Sequence, residues 1–427
     1  MYKKSKYNIF VPCNDGTIVF NALTGSIGIF DKNTMDKYKS GQYTLQEMGL
    51  LVKKGIFVDK NYDEWDKMDK DRANGILDDK SKYVRIWTTS DCNARCYYCY
   101  EKGIQKEWLA ERTADRIVEF IDEMLNGGDR LYIEWFGGEP LMNPGIIDYI
   151  MNKLESILKA KNIQVESKII TNGSFITEEM VDRMVNLWQT KMVQVTLDGA
   201  FEEYDKVKNY IDKSSHTFER VIRNIHLLVD NGIHVAIRMN YNMQNYSQLS
   251  RLIDYIAKEF KDEKHIYAYV YPIWNCLNSE NEGRFRSKAH ADYRYVLLLK
   301  QLVKQGLGNV RDIARLNYRA NQCRSCSVYG YSIFPNGRIG KCSETFVQTI
   351  GDIWNGVQDV ETERKWTSLE VDEKCRDCQF MPLCQGGCRS SMFTDMQQCY
   401  VNKDVFPELL RWYVQSLKEE KIATTSA

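Results

Sequence analysis

Cys92, Cys96 and Cys99 form a C-x3-C-x2-C run in which an aromatic, Tyr98, precedes the third cysteine. Thiolates are the soft ligands of zinc and of iron–sulfur clusters. Three so close together cannot close a four-coordinate zinc site alone. They suit a cubane that leaves one iron open to another ligand. The alternative is a structural zinc site whose fourth ligand lies elsewhere. Further on, Gly137, Gly138 and Glu139 stand before Pro140. Two glycines let a backbone come close to a ligand, and the glutamate offers an acceptor to an amino group.

A second concentration of thiols lies near the C-terminus, where eight of the thirteen cysteines fall between Cys323 and Cys399. Cys326 is followed by Gly337 and Cys342, then by Cys375-x2-Cys378-x5-Cys384-x3-Cys388 and finally Cys399. A zinc ribbon built on Cys375, Cys378, Cys384 and Cys388 is the alternative to clusters here. The stretch shows little regular periodicity and is too loop-rich to build much core, so it needs staples.

The elements that must position these residues divide the chain into three expected domains, 1–80, 81–310 and 311–427. In the first, Asn14-Asp15-Gly16 between residues 7–11 and 17–21 signals a hairpin, a strand follows over 26–30, and helical patterns cover 32–39 and 46–54. The Asp- and Lys-rich stretch 59–80 reads as a linker. The middle segment repeats strand then helix, with strands expected over 83–89, 130–136, 164–171, 192–197, 234–240 and 266–274 and amphipathic stretches between them. Six βα units in series predict an α/β fold with a parallel sheet in an open, partial barrel, whose chemistry sits at the carboxyl ends of the strands. A last helix is expected over 407–418.

The totals exclude several classes. With 58 basic and 58 acidic residues the formal net charge is zero, which argues against a polyanion-binding surface and so against nucleic acid as a partner. No apolar run approaches the roughly 18 residues a membrane helix needs, and the first residues have charge but no following apolar region, so a cytoplasmic protein with no membrane partner is expected. Thiols stay reduced there, and many clustered cysteines then point to metal rather than disulfides.

The three-cysteine run, with Gly-Gly-Glu-Pro one βα unit later, resembles the radical SAM enzymes. The resemblance implies a 4Fe-4S cluster on Cys92, Cys96 and Cys99 whose open iron binds and reductively cleaves S-adenosylmethionine (SAM). It places Tyr98 against the adenine, Gly137, Gly138 and Glu139 at the amino group, and Thr196 at the ribose. Many relatives carry an arginine for the SAM carboxylate where this chain has Lys208, and Arg238 is a second candidate. The C-terminal cysteines resemble the SPASM extension, which holds two auxiliary 4Fe-4S clusters. That implies one cluster on Cys323, Cys326, Cys342 and Cys388 and another on Cys375, Cys378, Cys384 and Cys399, leaving Cys13 and Cys276 as ordinary thiols. The order of strands and helices in the first eighty residues looks like the small winged-helix modules that recognise leader peptides by strand addition.

The fold expected is thus a partial (β/α)6 radical SAM barrel with an N-terminal winged-helix-like domain and a C-terminal loop-rich iron–sulfur (SPASM) domain. The function the resemblance implies is hydrogen abstraction from a ribosomally made precursor peptide, followed by an intramolecular thioether or carbon–carbon cross-link. Expected partners are that peptide, with its leader sequence, and a flavodoxin or ferredoxin as electron donor. The alternative is an anaerobic sulfatase-maturating enzyme that oxidises Cys or Ser to formylglycine. A non-enzymatic iron–sulfur carrier or zinc-stapled binding protein would cleave no SAM.

Overall fold

The computed structural model describes residues 1–213, 217–273, 293–313, 315–320, 323–343, 348–390, 399, 401 and 403–425. Cys276 and the expected end of the sixth barrel strand at Trp274 lie outside them. The chain forms two compact units: residues 1–77, 309–323 and 368–427 make one, and residues 78–308 and 324–367 make the other. The stretch expected as a single third domain is therefore divided between the two units.

In the first unit β2 (Asn8–Cys13), β3 (Gly16–Asn21) and β4 (Ile27–Phe30) form an antiparallel sheet in that order, and β1 (Tyr2–Lys4) pairs with β5 (Phe57–Asp59). Alternation along β3 sends Val19 to one face and Ile18 and Phe20 to the other. Val19 packs into a core with Phe30, Tyr38, Leu51 and Phe57 contributed by β4, β5, α1 (Lys32–Ser40) and α2 (Leu45–Lys53). Phe20 meets Phe406 of the C-terminal helix Phe406–Thr425 with ring centroids 6.1 Å apart, and Phe406 lies edge-on to Phe380 at 4.9 Å. The N-terminal sheet and the C-terminal cysteine-rich stretch thus share one core.

Residues 59–80 are not the linker expected from their charge. They hold α3 (Glu64–Ile76), capped by the Asp63 carboxylate, which accepts from the Trp65 and Asp66 N–H groups. The charges that suggested solvated chain are i,i+4 ion pairs, Lys67 with Asp71 and Lys70 with Asp66, while Met68 and Ile76 are buried on the opposite face.

The second unit carries β6 (Ser81–Thr89), β7 (Arg130–Gly137), β8 (Gln164–Thr171), β9 (Thr190–Thr196), β10 (His234–Tyr241) and β11 (Ile266–Pro272), parallel and side by side in sequence order. Helices α4 (Glu111–Met124), α5 (Pro144–Ala160), α6 (Glu178–Asn186), α7 (Glu202–Lys208), α8 (Thr217–Asp230) and α9 (Tyr246–Glu259) lie between them in the chain. Beyond β6 the sheet continues through β12 (Gly330–Ile333), which pairs parallel to it, and then antiparallel through β13 (Arg338–Gly340), β14 (Thr349–Asp352) and β15 (Gly356–Val357). The sheet is therefore mixed, and part of the C-terminal stretch extends it.

Alternation along these strands explains where a site can form. Leu131, Ile133 and Trp135 of β7 are buried on one face, while Tyr132, Glu134 and Phe136 occupy the other. On β6 the second set is Tyr83, Arg85 and Trp87, with Tyr83 stacked on Tyr132 at 5.1 Å. A parallel sheet usually reads apolar on both faces. Here one face carries charge, so that side is a lined cavity rather than packed core.

Candidate active site

At the carboxyl ends of the barrel strands a cavity of about 350 Å³ is lined by all three cysteines of the C-x3-C-x2-C run. The run follows β6 directly, and its loop is held from three sides. Cys92 N–H donates to the Asp91 carboxylate at 2.8 Å, Arg95 N–H to the Lys208 carbonyl at 2.8 Å, and Ile211 N–H to the Asn93 carbonyl at 2.8 Å. The Asn172 side-chain amide, just past β8, donates to Asn93 Oδ1 at 2.8 Å.

Gly137 and Gly138 also line the cavity. Gly138 N–H donates to the Thr89 carbonyl at 3.0 Å, and the Glu139 N–H donates to the Asp91 carbonyl at 2.8 Å, so this turn lies against the cysteine loop. A Cβ on Gly138 would stand 2.2 Å from the Asp91 carbonyl oxygen, and one on Gly137, at φ +131°, 2.0 Å from that of Thr89. Both contacts are with backbone and cannot be relieved by a rotamer change.

Glu139 itself is fully buried behind that turn. Its Oε1 accepts from the Thr171 hydroxyl at 2.7 Å and the Leu141 N–H at 3.0 Å, and its Oε2 from the Asn172 N–H at 2.7 Å. Burial outweighs these bonds and raises its pKa. Thr196 and Arg238 line the cavity from β9 and β10. Arg238 Nε donates to Asn240 Oδ1 at 2.9 Å, and its guanidinium lies 4.5 Å from the Tyr271 ring centroid.

Lys208 and Tyr98 also line the cavity, and both engage Asp198, a residue the motif Thr196-Leu-Asp-Gly199 contains but which sequence reasoning gave no role. Lys208 Nζ donates to Asp198 Oδ2 at 3.0 Å and to the Tyr98 hydroxyl at 3.3 Å; the Tyr98 hydroxyl donates to the same carboxylate oxygen. Asp198 Oδ1 accepts from Asn240 N–H at 3.0 Å. Burial alone would lower the Lys208 ammonium, but the Asp198 charge outweighs it and holds the pKa well up.

The three thiols are half-buried in the cavity wall. Burial, then the charge of Glu139, pushes Cys92 up to about 12; burial and Glu101 push Cys99 to about 12; Cys96 is raised by burial as well. Such thiols ionise when a cation binds them, since a coordinating metal deprotonates them outright. The donor set therefore fits a cluster carried by Cys92, Cys96 and Cys99.

In the first unit, Cys375, Cys378, Cys384 and Cys399 line one cavity of about 140 Å³ with Lys374 and Lys403. The Cys384 thiol hydrogen bond, aided by Lys403 and Lys374, outweighs burial and holds Cys399 down at about 6. Four thiols around one pocket fit a metal group of their own. Among the described residues no three or more His, Cys, Asp or Glu side chains surround a point suited to a single ion. Of the other expected set, Cys326 and Cys342 belong to the barrel unit, and Cys323 and Cys388 to the first unit.

Residues 87–256 match the radical SAM superfamily. This is a radical SAM enzyme. It cleaves SAM to generate the 5′-deoxyadenosyl radical. Among curated relatives, a cysteine-type anaerobic sulfatase-maturating enzyme of Clostridium novyi is 25% identical over 343 residues, covering 70% of this chain and 86% of that protein. The radical SAM cyclopropyl synthase TigE of Paramaledivibacter caminithermalis is 20% identical over 428 residues, covering 87% and 82%. Among solved structures, anSMEcpe with bound AdoMet superposes with a TM-score of 0.60 at 16% identity, covering 78% of this chain and 96% of that one. SuiB of Streptococcus suis bound to the precursor peptide SuiA gives 0.53 at 17%, covering 95% and 99%. At these identities the structural likeness establishes the fold: a radical SAM partial barrel with a small N-terminal β domain and a cysteine-rich C-terminal region. No helix among the described residues is long and apolar enough to cross a membrane.

The radical SAM barrel also holds residues that sequence reasoning missed. Arg85 donates through Nε to Glu134 and through a terminal nitrogen to Ser343 Oγ, and Lys168 Nζ lies 3.5 Å from Glu134 Oε2. Burial would raise Glu134, but Arg85 and Lys168 outweigh it and hold the carboxylate below its usual range. The signal that could have found them was charge at alternate positions of strands that otherwise read as buried.

Proposed function

We propose that this radical SAM enzyme modifies a ribosomally made precursor peptide, abstracting a hydrogen from a substrate carbon and closing an intramolecular thioether or carbon–carbon cross-link. The observation that carries this reading is the N-terminal module. Its sheet of β2, β3 and β4 has two edges. On β2, Pro12 has no N–H to offer and its carbonyl accepts from Arg411 Nε of the C-terminal helix at 2.9 Å. On β4 no strand pairs with the outer edge among the described residues. An open edge of this kind offers a place for a leader peptide to add as a strand, which supports reading this small β domain as a leader-recognition module. SuiB, whose structure contains its precursor peptide, matches 95% of this chain, whereas anSMEcpe matches 78%.

In this reading SAM supplies the radical, through a cluster that Cys92, Cys96 and Cys99 would hold. The work of the chain's own residues is to bind and orient. Gly137 and Gly138 let SAM lie against backbone, Thr196 faces its ribose, and Arg238 is left to meet its carboxylate because Lys208 is committed to Asp198. Glu139 braces the turn through three accepted hydrogen bonds. Tyr98 is held by Asp198 and so presents a fixed ring to the adenine. Cys375, Cys378, Cys384 and Cys399 would hold an auxiliary cluster, to take up the electron left when the cross-link closes. A flavodoxin or ferredoxin is the proposed reductant.

A second reading, maturation of a sulfatase, draws on the Clostridium novyi relative. One experiment separates them: co-expression with a candidate precursor peptide carrying its leader, followed by high-resolution mass spectrometry. A peptide lighter by a pair of hydrogens per cross-link, and unchanged when Cys92, Cys96 and Cys99 are replaced by alanine, supports the peptide reading. An unmodified peptide together with abundant 5′-deoxyadenosine points to a protein substrate.

A further inference from the structure

The cavity wall is unbalanced in charge and in hydrogen-bonding character. Arg85, Lys168 and Lys208 line it as cations, apart from Arg238, which the proposed SAM site uses, and Glu134 is the one carboxylate of the lining among the described residues. Asp198 answers Lys208. Glu134 is then shared by Arg85 and Lys168, which leaves positive charge in excess around a space that must admit a substrate.

The donors are equally in excess. Lys168 has three N–H groups, with Glu134 Oε2 at 3.5 Å and Gln194 Oε1 at 3.3 Å. Gln194 Oε1 also accepts from the Tyr269 hydroxyl at 3.0 Å. An amide oxygen that takes two donors has its orientation set. The Gln194 Nε2 hydrogens meet no acceptor among the described residues, so they and the third Lys168 hydrogen are left for what enters. Burial, reinforced by Arg85 and Arg324, lowers the Lys168 ammonium even against Glu134, so a further anion beside it would be welcome.

Position separates this donor group from the SAM site. Lys168 and Gln194 precede Thr171 and Thr196, the carboxyl ends of β8 and β9, by three and two residues. At a rise of about 3.3 Å per residue they lie roughly 7–10 Å deeper in the barrel than the strand ends.

We infer that Lys168 and Gln194, backed by Arg85 and Glu134, form a recognition site for a carboxylate of the substrate. The inference rests on the peptide reading for its substrate class and names what that peptide must present: an acidic side chain or a free terminal carboxylate near the carbon that loses hydrogen. Lys168 supplies charge and Gln194 a second donor, and together they act as a specificity-determining pair.

The test is a binding measurement on the reconstituted full-length enzyme saturated with SAM, by saturation-transfer NMR. The probes are N-acetylglutamate amide against N-acetylglutamine amide, and N-acetylalanine against N-acetylalaninamide. One acidic probe should bind at least tenfold tighter than its neutral partner, and which pair shows the preference identifies side chain or terminus as the source. Lys168→Gln should abolish the preference and Lys168→Arg retain it. Gln194→Glu, which keeps the volume but offers the site a carboxylate of its own, should abolish it too. Equal affinities within both pairs, no detectable binding of either acid, or a Lys168→Gln loss that falls on SAM affinity instead would overturn the inference. The readout is binding rather than modification, so an unmodified precursor peptide would count against the peptide reading alone.

Discussion

The Lys208–Asp198 pair allows the reasoning about the site to be tested by its energetics. The side chains are 3% and 1% exposed, and the charged atoms are 3.0 Å apart. Lys208→Met leaves the Asp198 carboxylate with only the Tyr98 hydroxyl and Asn240 N–H as donors. Stranding one member of a buried pair costs about 3–5 kcal/mol, whereas removing both charges is often close to neutral. Asp198→Asn should therefore destabilise by about as much as Lys208→Met, and the double variant by less than either alone. The coupling then amounts to several kcal/mol, well outside the roughly 0.5 kcal/mol within which independent sites add. Urea denaturation of the apo-protein, followed by tryptophan fluorescence, measures the stability of the four proteins without interference from cluster loss. Under the same reasoning both single variants should lower cluster occupancy, because the Lys208 and Asp198 side chains together hold Tyr98, the residue before Cys99. Additive single effects would refute it, and so would a Lys208→Met protein as stable as the parent.

Three further outcomes follow from particular contacts. Gly138→Ala drives a methyl group into the Asp91 carbonyl at 2.2 Å, so the cysteine loop must shift, and SAM affinity by equilibrium dialysis should fall by at least about tenfold. Replacing Cys375 and Cys378 by alanine opens the first unit's thiol pocket and should lower iron content by about four per chain while SAM cleavage by the barrel persists; iron analysis and 5′-deoxyadenosine assay read the two separately. Addition of the leader peptide should slow amide exchange over Ile27–Phe30 of β4 and leave Asn8–Cys13 of β2 unchanged, because β2 is already capped by Arg411. Protection of β2 instead would place the peptide elsewhere.

A terminal deletion is a poor substitute for that last measurement. Residues 1–80 were expected to be separable from the rest, but Phe20 packs on Phe406, and Lys6 and Arg376 flank Trp65 at 5.3 and 5.4 Å. Removing the module would uncover the C-terminal helix and the thiol pocket beside it, so a loss of activity would not isolate leader recognition.

The parallel strands, the cluster cysteines and the glycine turn were all legible in the sequence, because each depends on local spacing: period-2 apolar runs, three thiols on one loop, two glycines where no Cβ fits. The helix α3 was hidden because its i,i+4 ion pairs have the composition of solvated chain, and only the buried Met68 and Ile76 reveal its inner face. β12 was hidden because a four-residue strand gains its stability from its neighbour β6 rather than from its own pattern.

The sequence by itself determined which groups could do chemistry and where along the chain they stand, since a C-x3-C-x2-C run and its partner motifs are read without reference to any distant residue. Only the tertiary structure decided how those groups are used. It joined Asp198 to Lys208 and so committed that lysine, folded Glu139 behind the turn it braces, and set Arg85, Glu134, Lys168 and Gln194 across neighbouring strands. The physical reason is that charge pairing and burial depend on which strands lie side by side, and strand order is a property of the folded sheet that no local spacing encodes.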